Sequence, residues 1–501
     1  MDRGKQGHAL QPMNLVYIMA DQHRRDAMGC AGHHLVQTPN LDRLAESGVR
    51  FTNGYTNCPI CVPSRASFAT GRYVHQIGYW DNGTPYDGRV PSWGRRLGQQ
   101  GHHVTTIGKL HYRSENDDTG FPDQRIPMHV HKGEGDIYGM VRDHVQRVPG
   151  SRKRILNAGP GESDYSHYDR AITAQSVRWL HEEASRYERP WVLFVSLTCP
   201  HPPLRAPQEF YDLYPLDRIE LPATFQARSW SNHPALTALR RRYELDEELD
   251  EATLRKALAT YYGLCSFMDA NVGQVLQAID SAGLRETTRI IYTSDHGEMA
   301  GEHGHWGKST MGEASAGIPF LMAGPDLPAN RVSEANISLI DSFPTILDCV
   351  GARLATEDLD LPGCSLWAVA ADETGPQRTI FSEYHAAGSP TGIFMMRGER
   401  YKYLYYVGMP PELYDLVSDP GEGQDLAALP EYQSVLAACD RELRTLVDPE
   451  TVDTTAKAHQ QAMIDRHGGL DAVVAAGPPF VQGTPTPAEF LRHRPDDDIR
   501  A

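Results

Sequence analysis

This sequence predicts an α/β fold: a large mixed, mostly parallel sheet flanked by helices, with a smaller C-terminal α+β subdomain. Three observations predict it. Four short apolar runs stop abruptly at polar residues: Asn14–Ala20 at Asp21, Trp191–Leu197 before Thr198-Cys199-Pro200-His201, Thr288–Ser294 at Asp295-His296-Gly297, and Ile318–Ala323 at Gly324-Pro325. Helical patterns lie between them, such as Phe267–Ala282, whose apolar residues recur at helical spacing. Finally, 501 residues with 40% hydrophobic and 23% charged side chains supply a sizeable core. At about 150 residues per domain, that length suits one large and one smaller unit.

The apolar runs are short and rich in β-branched residues, so they read as parallel strands buried on both faces. Strands alternating with helices make a layered sheet, and ligands gather at the carboxyl ends of its strands. Asp21, His201, Asp295 and His296 each follow such an end. Asp, Glu, Pro and Gly accumulate over residues 354–378, which bounds a catalytic domain of residues 1–370. Phe394–Val407 reads as a hairpin turning at Gly398-Glu399, and Glu431–Leu446 as a helix, within a subdomain of residues 371–450. Residues 451–501 carry Gly468-Gly469, Gly477-Pro478-Pro479 and Pro485-Thr486-Pro487. They read as an extended arm on a neighbouring subunit, and so predict a homo-oligomer, dimer or tetramer.

Lys+Arg 48 against Asp+Glu 65 gives a net charge of −17. That excludes a nucleic-acid or anionic-membrane binder, which needs a basic footprint. An anionic substrate would have to be held by local cations against the overall field. Met1–His8 lacks the apolar core of a secretory signal, and no run of about 18 apolar residues is present. The eight cysteines show neither a disulfide framework nor paired zinc spacing. The expected place is the cytoplasm, with no membrane partner.

The most informative segment is Cys61-Val62-Pro63-Ser64-Arg65-Ala66-Ser67, followed by Thr70-Gly71-Arg72. Alone, it reads as a buried thiol at a helix start, with Ser64 as the cap and Arg65 near an anion. As C-x-P-S-R it resembles the signature of the type I sulfatases of the alkaline phosphatase superfamily. Gly101–His111 resembles that family's second signature. Thr38–Leu44 resembles its early helix, and Glu412–Leu416 with Asp419–Glu422 its C-terminal closure. The resemblance implies an alkaline phosphatase-like fold and the oxidation of Cys61 to formylglycine by a maturation enzyme.

The chemistry gives those residue types a reason. A sulfate monoester repels nucleophiles, so its charge must be neutralised and an oxygen nucleophile supplied at neutral pH. An aldehyde hydrate carries two hydroxyls on one carbon. One attacks sulfur to give a covalent sulfo-enzyme; the other re-forms the aldehyde and expels sulfate, an exit a serine lacks. The family's metal is hard and oxygen-loving. Its ligands here are Asp21, Asp295, His296 and the modified Cys61. Gln22, a further candidate ligand through its carbonyl, stands where many sulfatases carry a second carboxylate, as in the choline-sulfatase and phosphonate monoester hydrolase branch. The expected ion is Ca²⁺, with Mn²⁺ as the alternative.

By the same resemblance, Arg65, Lys109 and Lys308 surround the sulfate, and Asn82 donates to one of its oxygens. His201 and Lys308 contact the bridging oxygen, one of them as general acid, while His111 serves the second hydroxyl as base. Each residue alone has a plainer reading: a solvated lysine, one of 22 histidines, or a turn at Asp295-His296-Gly297. His303 and His305 read as loop residues. What carries the sharper reading is nine residues of the right kind in the family's order.

The expected activity is hydrolysis of a small aryl or alkyl sulfate ester. A phosphonate or phosphate monoester hydrolase is the alternative. Such relatives tend to hold neutral hydroxyl-bearing residues at the positions of Lys109 and His111. Choline sulfate ranks lower, because a quaternary ammonium needs an aromatic cage and no Trp lies between Trp93 and Trp179. Tyr79, Trp80, Tyr384 and His385 are expected at the leaving-group pocket. A non-catalytic scaffold protein is disfavoured, since only Gln22 departs from the pattern.

Overall fold

A computed structural model describes residues 10–142, 147–227, 230–371, 378–479, 484–487 and 490. Its strands, in chain order, are β1 (Asn14–Asp21), β2 (Gly48–Tyr55), β3 (Val104–Lys109), β4 (Asp123–Met128), β5 (Gly159–Pro160), β6 (Val192–Pro200), β7 (Arg205–Ala206), β8 (Thr288–Ser294), β9 (Phe320–Ala323) and β10 (Arg331–Ser338). Eight of them form one sheet in the order β10-β2-β9-β8-β1-β6-β3-β4, while β5 and β7 pair separately.

The sheet is covered on both faces, and β1 shows why its sequence is apolar throughout. Val16, Ile18 and Ala20 face one core, against Ile172 and Trp179 of the helix Asp164–Glu182 and Val272 of the helix Glu251–Ser281. Leu15, Tyr17 and Met19 face the other, against Phe68 of the helix Cys61–Thr70 and Phe343 of the helix Ser342–Val350. Alternate side chains of a strand point to opposite faces, so both sets must be apolar.

Two expectations about the sheet and its helices need correction. Ile318–Ala323 contains a buried strand, but β9 runs antiparallel to both β8 and β2. The chain leaves β8 and returns from the same end of the sheet, so β9 runs back; an apolar run carries no direction. The helix expected over Phe267–Ala282 begins much earlier, at Glu251, where the Asp250 side chain accepts from the Thr253 N–H and caps it.

After the sheet come four antiparallel strands in sequential order: β11 (Ile380–Tyr384), β12 (Ile393–Arg397), β13 (Tyr401–Tyr406) and β14 (Glu412–Asp415). The β12–β13 hairpin pairs Ile393 with Tyr406 and turns at 398–400, as the sequence predicts. A helix follows at Gln433–Leu446. The boundary near residue 370 adjoins residues 372–377, which lie outside the described residues.

The extended conformation expected from residue 451 onward is corrected as far as residue 476. Residues 449–476 form two helices, Pro449–Arg466 and Leu470–Ala476, packed on their own chain. Ile464 and Val473 join Tyr138, Met140 and Val141 in a small apolar cluster. Parts of the segment beyond residue 479 lie outside the described residues. No described helix is long and apolar enough to cross a membrane.

Candidate active site

The carboxyl ends of β1, β3, β6 and β8 lie side by side, and the predicted residues meet there. Asp21 is the last residue of β1, Lys109 the last of β3, and His201 and Asp295 directly follow β6 and β8. Cys61 opens the buried helix Cys61–Thr70. Ligand atoms of Asp21, Cys61, Asp295 and His296 all lie within 4.8 Å of one another, and all four residues are buried.

The cluster is held by hydrogen bonds that fix each group's role. Arg65 Nε donates to Asp295 Oδ2 at 2.8 Å, and Arg65 Nη2 donates to Asp21 Oδ2 at 3.3 Å. Its Nη1 donates to the Lys109 carbonyl and to Ser196 Oγ. Arg65 therefore stands behind the carboxylates and is not among the residues lining the cavity. Lys109 Nζ lies 2.6 Å from Asp21 Oδ2. Burial raises the Asp21 carboxyl, but Lys109, Lys308 and Arg65 together hold it well below the usual carboxylate range.

His296 Nδ1 donates to the Gly297 carbonyl at 3.0 Å. Burial, assisted by Lys308, outweighs the two carboxylates and pushes the ring down to about 4. A neutral ring with its proton on Nδ1 leaves Nε2 bare, 3.1 Å from Cys61 Sγ and 3.6 Å from Asp295 Oδ1. Two carboxylate oxygens and a bare imidazole nitrogen form a donor set that fits a divalent ion.

Ser64 does not cap its helix. It lies inside the first turn, and its hydroxyl donates to the Asp295 carbonyl at 2.7 Å. The Cys61 thiol is raised to about 11, by burial first and then by Asp21. Lys308 Nζ sits 2.8 Å from Cys61 Sγ and 2.9 Å from Gln22 Oε1. Gln22, at φ 69°, turns its Nε2 to Glu298 Oε2 at 2.5 Å. Glu298 is buried and also accepts from the Ala300 and Gly307 N–H groups. That carboxylate fixes the amide orientation, so the Gln22 carbonyl must face Lys308.

Cys61, Asn82, Lys109, His111, His201 and Lys308 line one cavity. His201 Nδ1 donates to the Pro202 carbonyl at 2.6 Å, and burial, with Lys308, holds its ring neutral. Asn82 Oδ1 accepts from the Val62 N–H, which leaves its amide hydrogens for a ligand. The ring of His111 is also held neutral, by burial first and then by Lys109 and Arg65.

The four residues expected at the leaving-group pocket do not line this cavity. Tyr79, Trp80, Tyr384 and His385 are buried, hydrogen-bonded to Asp87, His459, Ala387 and Glu383 respectively. Asp136, Arg154, Arg242 and Tyr243 take that position. His303 and His305 stay in their loop, on the Gly421 carbonyl and Arg240. The residues missed from the sequence are Glu298, Arg154, Arg242 and Thr484. Glu298 had a signal, since it stands three residues past Asp295 in the same strand-end loop. The others come from distant segments and carry no local pattern.

A fold with this sheet, bearing paired carboxylates and lysines at its strand ends, defines a hydrolase of anionic esters. The sulfatase family model matches residues 13–352, and the model described as N-sulphoglucosamine sulphohydrolase, C-terminal, matches residues 301–448. Arylsulfatase K of Canis lupus familiaris is 30% identical over 486 residues, covering 91% of this chain and 86% of that protein. Choline-sulfatase of Rhizobium meliloti (strain 1021) is 29% identical over 434 residues, 83% of each. Among solved structures, the phosphonate monoester hydrolase of Agrobacterium radiobacter matches with a TM-score of 0.71 at 26% identity, covering 87% of this chain and 95% of that one. The chain belongs to the sulfatase family, in the alkaline phosphatase superfamily, and is a sulfuric ester hydrolase.

Proposed function

We propose that the enzyme cleaves aryl or alkyl sulfate monoesters at Cys61 after its oxidation to formylglycine by a maturation enzyme. Asp21, Asp295 and His296 would hold one divalent ion beside it, Ca²⁺ first and Mn²⁺ as the alternative. The observation that carries this reading is the meeting of those three ligands and Cys61 within 4.8 Å, in a buried cluster. The ion would supply Lewis-acid polarisation of a sulfate oxygen, and the modified Cys61 an oxygen nucleophile.

The chain's own side chains account for the remaining work. Arg65 and Lys109 keep Asp21 ionised and aimed, and Arg65 also fixes the orientation of Asp295. His201 directs its Nδ1 proton at the Pro202 carbonyl. Lys308 has protons to give and lies 2.8 Å from Cys61 Sγ, which supports it as the acid that protonates the leaving group. The amide hydrogens of Asn82 are available to a sulfate oxygen, and neutral His111 is suited to act as base. Arg154 lines the same cavity; its Nε has no hydrogen-bond partner among the described residues, and its charged neighbour is Asp136. That supports a leaving group bearing an anion. On that wall Arg154 and Arg242 outnumber Asp136, which disfavours choline sulfate, whose ammonium they would repel.

The second reading is a phosphonate monoester hydrolase, favoured by the 26% identity to the Agrobacterium radiobacter enzyme over 87% of the chain. The test is turnover of 4-nitrophenyl sulfate against a phenyl phosphonate monoester, after chelation and re-addition of Ca²⁺ or Mn²⁺. Peptide mass spectrometry across Cys61 accompanies it. Sulfate turnover should dominate, depend on added ion and scale with the aldehyde fraction. A phosphonate rate above the sulfate rate reverses the ranking, and full turnover by Cys61→Ala refutes the mechanism.

A further inference from the structure

The two family models end at residue 448, yet the chain beyond them reaches the catalytic cavity. The helix Pro449–Arg466 is anchored beside it by buried polar contacts. Asp453 pairs with Arg142 at 2.7 Å, and Gln460 Nε2 donates to Asp81 Oδ2 at 2.8 Å. Trp80 Nε1 donates to His459 Nδ1 at 2.9 Å. Beyond that helix, Pro478 and Thr484 line the same cavity as Cys61, Lys109 and Lys308.

Thr484 is buried, touches His111 directly and reaches His201 through Tyr165. Its Oγ1 lies 2.6 Å from His111 Nε2. Its carbonyl accepts from Tyr165 OH at 2.8 Å, and the Tyr165 ring packs on His201 with centroids 5.7 Å apart. The His111 backbone lies two residues past the end of β3, in the left-handed region at φ 59°, with its N–H donating to the Met128 carbonyl. Among the described residues, its ring has no hydrogen-bond partner except Thr484, and Nδ1 has none.

We propose that Thr484 is a positioning residue for His111, supplied in cis by the C-terminal segment as a wall of the catalytic cavity. A hydroxyl can donate to a bare Nε2 or accept from a protonated one, so it holds the ring in either tautomer; a methyl group does neither. Fixing that ring fixes the distance from its free nitrogen to the reacting hydroxyl, where displacements near 1 Å cost about a hundredfold in rate.

The inference rests on the reading of His111 as a residue of the catalytic machinery, and the test separates the two. Full-length Thr484→Val, Thr484→Ser, His111→Ala and the Thr484→Val/His111→Ala double variant are assayed on 4-nitrophenyl sulfate. Rates are normalised to the aldehyde content of Cys61, and thermal melts check folding. Thr484→Val should lower kcat about ten- to a hundredfold with KM nearly unchanged, on the scale of such misplacement. Thr484→Ser should recover most of the loss, and Thr484→Val should cost nothing further once His111 is alanine. Wild-type kcat in Thr484→Val, or an undiminished loss in the His111→Ala background, overturns the proposal alone. Wild-type kcat in His111→Ala overturns the reading of the site and the proposal with it.

Discussion

Replacing Arg65 with methionine removes the group that holds the two metal-site carboxylates together. The guanidinium is 1% exposed and gives hydrogen bonds to Asp295, Asp21, the Lys109 carbonyl and Ser196. Breaking a buried pair by deleting one partner costs about 3–5 kcal/mol, because the stranded charge has no solvent. With an unfolding entropy of about 2.1 cal/mol/K per residue, a cooperative unit of this size shifts by about 1 °C per kcal/mol, so Tm should fall by about 3–5 °C. The pH dependence gives an independent check. Burial raises the Asp21 carboxyl, while the cations Lys109, Lys308 and Arg65 hold it well below its ordinary value. A depressed carboxyl stabilises the fold above its unfolded pKa of about 4 and loses that contribution as pH falls through the folded value. The gap between wild type and Arg65→Met should therefore be widest near neutrality and narrow on acidification. Scanning calorimetry in chelator from pH 3 to 8 measures it, with Arg65→Lys as an intermediate that keeps the charge but not the fork. A gap under about 1 °C at pH 7, or one that widens in acid, refutes the reasoning, given the expected size.

Two further substitutions address the reaction itself. Lys308→Ala should lower kcat by about 10²–10⁴-fold for alkyl sulfates, the range of general acid catalysis, and much less for 4-nitrophenyl sulfate, whose leaving group needs no proton. Equal losses on both, compared as log kcat against leaving-group pKa, would assign the acid elsewhere. Arg154→Gln should raise KM by about 10- to 100-fold for a carboxyphenyl sulfate, on the scale of a charge-assisted hydrogen bond. Steady-state kinetics should show no such rise for 4-nitrophenyl sulfate, and equal rises would show that Arg154 does not read the leaving group.

The catalytic edge was legible because each predicted strand that supplies it breaks from apolar to polar in one step, at Asp21, Thr198 and Asp295. Sheet topology turns that pattern into proximity without further information. The direction of β9 was not legible, since the same apolar residues serve a parallel or an antiparallel neighbour. The edge strand β10 escaped notice because half of RVSEANIS faces solvent. Arg65 shows a subtler limit. Its position in C-x-P-S-R was plain, but only the fold reveals that its donors go to Asp21 and Asp295. The tail was misread for a related reason: Gly and Pro mark breaks between its elements, whereas the docking of Asp453 and Gln460 on the body depends on Arg142 and Asp81, more than 300 residues away.

Charge at the site explains how an acidic protein selects an anion. Around Cys61, the carboxylates Asp21, Asp295 and Glu298 face the cations Arg65, Lys109 and Lys308, with both neighbouring histidines, His201 and His296, neutral. Three against three is zero, which lets these groups be buried together without an uncompensated charge. The divalent ion proposed for Asp21, Asp295 and His296 would then leave two positive charges in a low-dielectric setting, an attraction far stronger than the same charges exert in water. A monoanionic ester cancels one, and the proton lost by the nucleophile cancels the other. Sulfate monoesters and phosphonate monoesters both carry one negative charge, so this balance admits either and gives no basis for rejecting one at the binding step. A phosphate monoester dianion overshoots it by one charge. Discrimination between the two monoanions must therefore arise in the transition state, and the ratio of their kcat/KM values, rather than their affinities, is the quantity that ranks them.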